Sequence, residues 1–118
     1  MGRDTSQVGF QRGVMSLAIL ALLDKQEMYG YQMVQEIERI SSGSIVTQEG
    51  SLYPVLYKLV EQGLISDRKV LVGKRMTRVY YHVEPAGREH LQKLIEEYEA
   101  TTQGVFRIIR WRDEHEDH

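Results

Sequence analysis

Apolar residues recur at helical spacing in successive stretches of the first half of the chain and then switch to alternation. In "VMSLAILALL" (Val14–Leu23) they run nearly all the way round a helix, which predicts a buried central helix over about Gln11–Leu23. Asp24–Met28 reads as a polar connection. "YGYQMVQEIERIS" places Met33, Ile37 and Ile40 on one side of a second helix, with Tyr29 and Tyr31 at its start. "SSGS" (Ser41–Ser44) is a loop. "EGSLYPVLYKLVEQGLI" carries Leu52, Leu56 and Leu59 at helical spacing, with Val55 and Val60 beside them and Gly63 after the last turn. Thr47 and Ser51 are the residue types suited to cap this third helix.

From Ile65 the pattern changes. "RKVLV" and "TRVYYHV" are β-branched and aromatic runs separated by "GKRM", a hairpin signature with Gly73 in the turn. Val79, Tyr81 and Val83 alternate with Arg78, Tyr80 and His82, so one face should be buried and the other wet. A helical pattern resumes in Glu84–Arg112, where Pro85 suits a first turn. The order predicts a mainly α fold with a small β-hairpin (α+β), a winged helix-turn-helix with a long C-terminal helix. Residues 1–84 form the DNA-binding domain in this reading, 85–112 a dimerisation helix and 113–118 an acidic tail.

The third helix has an unusual outward face. Opposite its apolar side lie Gly50, Pro54, Tyr57 and Glu61, with Tyr53 on one flank and Ser51 and Lys58 on the other. A start near Ser51 puts Pro54 in the first turn, where its missing N–H costs nothing. Small residues and hydroxyls near a helix N-terminus suit close approach to a DNA groove and its phosphates. The bland reading is a solvated face with Tyr57 packed on a neighbour.

Charge sharpens the choice. The chain has net charge −2, yet residues 41–83 are net +3, with six basic residues against three acidic, while the flanking segments are acidic. "DRKVLVGKRMTR" (Asp67–Arg78) holds five basic residues and one acidic. A basic wing on an acidic chain fits a polyanion met by one surface. It also fits a solvated hairpin.

"LAILALL", "MYGYQMVQEI", "EGSLYPVLYKLVEQGLI" and "RVYYHVEPAGREHL" together make the chain, over about residues 13–98, resemble the PadR family of bacterial transcriptional regulators. The resemblance implies a dimeric winged-helix repressor of palindromic operators, its last helix serving as the dimer contact as in the smaller subclass. Some members bind a drug-like ligand at the dimer seam. With the helix faces above, the candidate DNA contacts are Tyr29, Tyr31, Gln48, Ser51, Tyr53, Pro54, Tyr57, Lys58, Lys74, Arg75 and Arg78.

The last helix carries a heptad seam. Leu91, Tyr98 and Val105 are seven apart, as are Leu94, Thr101 and Ile108, and Ile95, Thr102 and Ile109 widen the stripe. Its length exceeds what a small winged-helix core needs, which implies a second copy. Tyr98, Thr101, Thr102 and Gly104 leave the seam's centre polar or small. The centre is either loosely packed or lines a cavity for a flat aromatic ligand, with Tyr98, Thr102 and Trp111 as its candidate residues. By the resemblance Tyr98 stands where a stacking tryptophan is expected, so tyrosine is a departure.

The remaining chemistry is sparse. There is no cysteine, which excludes disulfides and thiolate metal sites and fits a cytoplasmic protein. The ten-residue Val14–Leu23 stretch is too short to span a bilayer and lacks the flanks of a signal peptide. "MGRDTS" matches the N-myristoylation pattern, which chance meets easily. His115 and His118 sit in an acidic tail that is more naturally solvated than metal-binding. No phosphate loop, nucleophile elbow or paired catalytic constellation occurs, so no enzyme, cofactor or metal is expected. A winged helix used as a protein-interaction module remains the alternative.

Overall fold

The computed structural model describes residues 5–115, with side chains from residue 13 onward. Gly2 of the acylation pattern and His118 lie outside the described residues. Helix α1 (Thr5–Lys25) begins six residues before the predicted start. Its Met15–Leu23 stretch supplies buried residues. Among them Met15, Ile19, Leu20 and Leu23 belong to the core cluster.

Strand β1 (Met28–Tyr29) corrects the polar connection. Two residues are too few to show alternation; the partner strand makes them a strand. β1 pairs antiparallel with β3 (Met76–Val83), which pairs with β2 (Ile65–Val72), giving the order β1-β3-β2. The hairpin register runs from Ile65 opposite Val83 to Val72 opposite Met76, across a turn in which Gly73 has φ +74°. Tyr81 and Val83 face the core, as the alternation predicts, and Met28 and Ile65 join them there.

Helix α2 (Gly30–Ile40) follows β1 directly, with extended Tyr29 as its N-cap. The N–H of Tyr29 donates to Gln32 Oε1 at 3.4 Å. Helix α3 (Glu49–Glu61) has Gln48 as its N-cap rather than Thr47 or Ser51. Ser51 is already inside the first turn, its N–H donating to the Gln48 carbonyl at 3.0 Å. Pro54 is therefore the sixth helical residue, and its missing N–H leaves the Gly50 carbonyl without a helical donor. Both residues are exposed, so water can take that role.

α3 ends sharply. Gly63 takes φ +74°, its N–H donates to Val60 and that of Leu64 to Leu59, at 2.9 and 3.0 Å. These paired bonds are a Schellman ending, which turns the chain into β2. After β3, helix α4 (Pro85–Glu114) runs 30 residues, about 45 Å, and carries the molecule to a long dimension of 69 Å. It includes Asp113 and Glu114, so the expected acidic tail begins as helix. Among the described residues, no helix is long and apolar enough to cross a membrane.

Tyr81 is 2% exposed, and burial pushes its phenol up to about 12. A value above the ordinary phenol range means that the protonated ring favours the folded chain. This contribution is complete below pH ~10 and is lost as pH rises through the folded-state value. Denaturant midpoints should therefore fall between pH ~10 and ~12, with on the order of 2 kcal/mol due to Tyr81. Tyr81→Phe should remove that part of the decline.

Candidate nucleic-acid interface

α3 separates two faces. Leu52, Leu56 and Leu59 are buried, while Gln48, Gly50, Ser51, Pro54, Tyr57 and Lys58 are exposed. Tyr57 is 62% exposed at the middle of that outward face.

Tyr53 departs from the sequence reading. It is half-buried, and its hydroxyl lies against Gly30 of α2, where any Cβ would overlap it. Burial, then the Glu49 carboxylate, pushes its phenol above the ordinary range. Its ring centroid is 5.9 Å from that of Tyr57. Tyr53 is thus a packing residue at the inner edge of the face, tying α3 to the start of α2. Gly30 is a close-packing position that sequence reasoning missed. The Tyr-Gly-Tyr pattern signals close approach, but only the fold supplies the approaching ring.

In the wing, Lys74 and Arg75 are exposed at the turn and have no ion-pair partner among the described residues. Arg78 is engaged instead. Its guanidinium lies 4.3 Å from the centroid of the Tyr29 ring. Tyr29 meets Tyr80 edge-on at 5.5 Å, Arg68 sits 5.8 Å over Tyr80, and Arg68 pairs with Glu27 at 2.7 Å. Tyr29 and Arg78 are therefore packed on each other, and both are half-buried. Glu27 and Arg68 were not foreseen, because their 41-residue separation hides the pairing. Tyr31 is half exposed at the start of α2.

The predicted seam divides in two. Leu91 is buried in the chain's own core, and Leu94 and Ile95 pack against that core. Beyond them Tyr98, Thr101, Val105, Phe106, Ile108 and Ile109 are exposed, with Thr102 half-buried. At 3.6 residues per turn, Trp111 lies about 140° round the helix from Tyr98, so the two do not line one pocket within a single chain. The Trp111 ring stacks on His115 at 5.1 Å, and His115 Nδ1 is 2.9 Å from the Trp111 carbonyl oxygen.

Three helices, the third with a polar outward face, followed by a basic hairpin and a long helix, define a winged helix-turn-helix protein. Residues 19–93 match the model of the "Transcriptional regulator PadR-like family". The transcriptional regulator Rv3488 of Mycobacterium tuberculosis is 38% identical over 82 residues, covering 70% of this chain and 73% of that one. The structure of Bacillus subtilis PadR in complex with operator DNA superposes with a TM-score of 0.66 at 27% identity, over 70% of this chain and 46% of that one. The chain spans 32% of the length of the Escherichia coli regulator YqjI, with which it shares 35% identity over 66 residues. The chain belongs to the PadR-like family, whose members are transcriptional regulators rather than enzymes.

Proposed function

We propose that the protein is a cytoplasmic, sequence-specific DNA-binding repressor that acts as a homodimer on a palindromic operator. The observation that carries this reading is the outward face of α3, where Ser51, Tyr57 and Lys58 surround the small or flat Gly50 and Pro54. Such a surface can enter a major groove, where Tyr57 and Ser51 reach base edges and Lys58 a phosphate. Lys74 and Arg75 would then neutralise backbone charge beside it, with Tyr31 and Gln48 at the rim. The operator complex of the B. subtilis relative supports the same use of this fold.

The distal half of α4 supports a dimer. Val105, Ile108 and Ile109 form an exposed apolar stripe that a second copy would bury, continuing the line of Leu94, Tyr98 and Thr101. Residues 1–84 serve as the DNA-binding domain and 85–112 as the dimerisation helix. Two recognition helices about 34 Å apart would read successive major grooves. A flat aromatic ligand entering beside Tyr98 and Thr102 would release operator by favouring a dimer with mis-spaced helices. Tyr98→Ala should abolish release by planar dyes; an unchanged response removes the seam pocket.

Selection of duplex sites by the purified protein tests the main reading. A recovered palindrome is expected, and recovery of unrelated sequences would favour a winged helix that binds an acidic protein instead. On the selected site, replacing Lys74 and Arg75 together with glutamine should flatten log K against log salt by about two units. An unchanged slope would take the wing off the phosphates.

A further inference from the structure

Glu27, Arg68, Tyr80, Tyr29 and Arg78 form one chain of contacts across the outer face of the sheet. Tyr80 pairs with Tyr29 on one side and Arg68 on the other, and Arg78 lies two residues along β3 toward the wing turn. β1 offers only two residues of ladder, too few to hold a twisted hairpin in one orientation. The aromatic and cationic stack adds the missing restraint. Tyr29 is also the N-cap of α2, one residue before the Gly30 on which Tyr53 of α3 rests. A single side chain therefore links the wing to the seat of the outward-facing helix.

We infer that Tyr29 and Arg78 are positioning residues, which set the wing against α3 before DNA is met. Arg78 is held over the ring rather than offered to a phosphate. The inference rests on the DNA-binding reading above, and it changes the role of two residues that the sequence presents as contacts. A wing already oriented delivers Lys74 and Arg75 to the backbone without the ordering cost of a mobile hairpin.

Full-length Tyr29→Phe, Tyr29→Leu and Arg78→Met are compared with the parent on the selected operator. Each is also made with Lys74 and Arg75 replaced by glutamine. Tyr29→Phe keeps the ring and should bind like the parent. Tyr29→Leu and Arg78→Met should each weaken binding about tenfold, as expected when a few ordered side chains lose their preorganisation. Both losses should vanish once the wing tip is neutral. Without DNA, amide relaxation of Gly73–Met76 should show new motion in these two variants and none in Tyr29→Phe. The inference fails if Tyr29→Phe behaves like Tyr29→Leu, which would mark a hydroxyl contact. It also fails if Arg78→Met alone weakens binding, or if the losses persist with the tip neutral, since both mark direct contacts. Should Tyr29→Leu not fold, as its melting would reveal, Tyr29→Phe and Arg78→Met carry the comparison. A parent without sequence-selective binding defeats the DNA reading instead, and the relaxation of the free protein then decides the positioning role.

Discussion

Gly87→Ala is expected to be strongly destabilising, although alanine is the better helix former. Gly87 sits in the first turn of α4, where this helix crosses the chain leaving α3. A Cβ there would overlap the Leu64 carbonyl oxygen and approach Val83 Cγ2 to 2.8 Å. The carbonyl is not free to turn aside, because it accepts the Glu84 N–H at 3.0 Å while the N–H of the same residue closes the Schellman ending of α3. Glu84 is held in turn by Ser66, whose Oγ donates to its carboxylate at 2.6 Å. Helix propensity would gain about 1 kcal/mol from the substitution. Overpacking against backbone outweighs that gain, for a net loss of about 3 kcal/mol or more. For a domain stable by roughly 5–15 kcal/mol this is a large fraction. Gly13→Ala is the control: Gly13 is exposed in α1 with open space around it, so it should gain up to ~1 kcal/mol. Urea unfolding measures both, and a Gly87→Ala protein as stable as the parent would contradict the close crossing.

Leu56→Ala should cost about 2–5 kcal/mol, since Leu56 is fully buried between α3 and the rest of the core. Its neighbour Tyr57 points the other way. Tyr57→Ala should leave stability within about 0.5 kcal/mol and weaken operator binding. The contrast between adjacent positions is the sharpest check on the two faces of α3. If Tyr57→Ala melts early, or Leu56→Ala melts normally, the helix is rotated from the orientation described here.

Most of the core was readable in the chain. Leu52, Leu56 and Leu59 are buried where their helical spacing puts them, and Tyr81 and Val83 where alternation puts them. The N-cap was misread because the capping preference of Thr47 and Ser51 is a weak local bias. Thr47 Oγ1 donates instead to the Gln48 carbonyl, at 3.4 Å. Among the candidate contacts, the placements of Tyr57, Lys58, Lys74 and Arg75 as exposed follow from periodicity and turn chemistry, which depend only on near neighbours.

Tyr53, Tyr29, Arg78 and Leu91 could not be placed that way. Each owes its surroundings to a residue far away in sequence: Gly30 beneath Tyr53, the hairpin against Tyr29, the first helix core around Leu91. Thus the order of the helices and the hairpin, the buried face of α3 and the basic wing were determined by the sequence alone, through repeat lengths of 3.6 and 2, whereas β1 and the exposure of Ile40 at the end of α2 were not. Only the tertiary structure decided which polar and aromatic side chains stay open to a partner and which are used internally. A repeat length reports the side of an element on which a residue lies, whereas availability depends on what another element brings to that side.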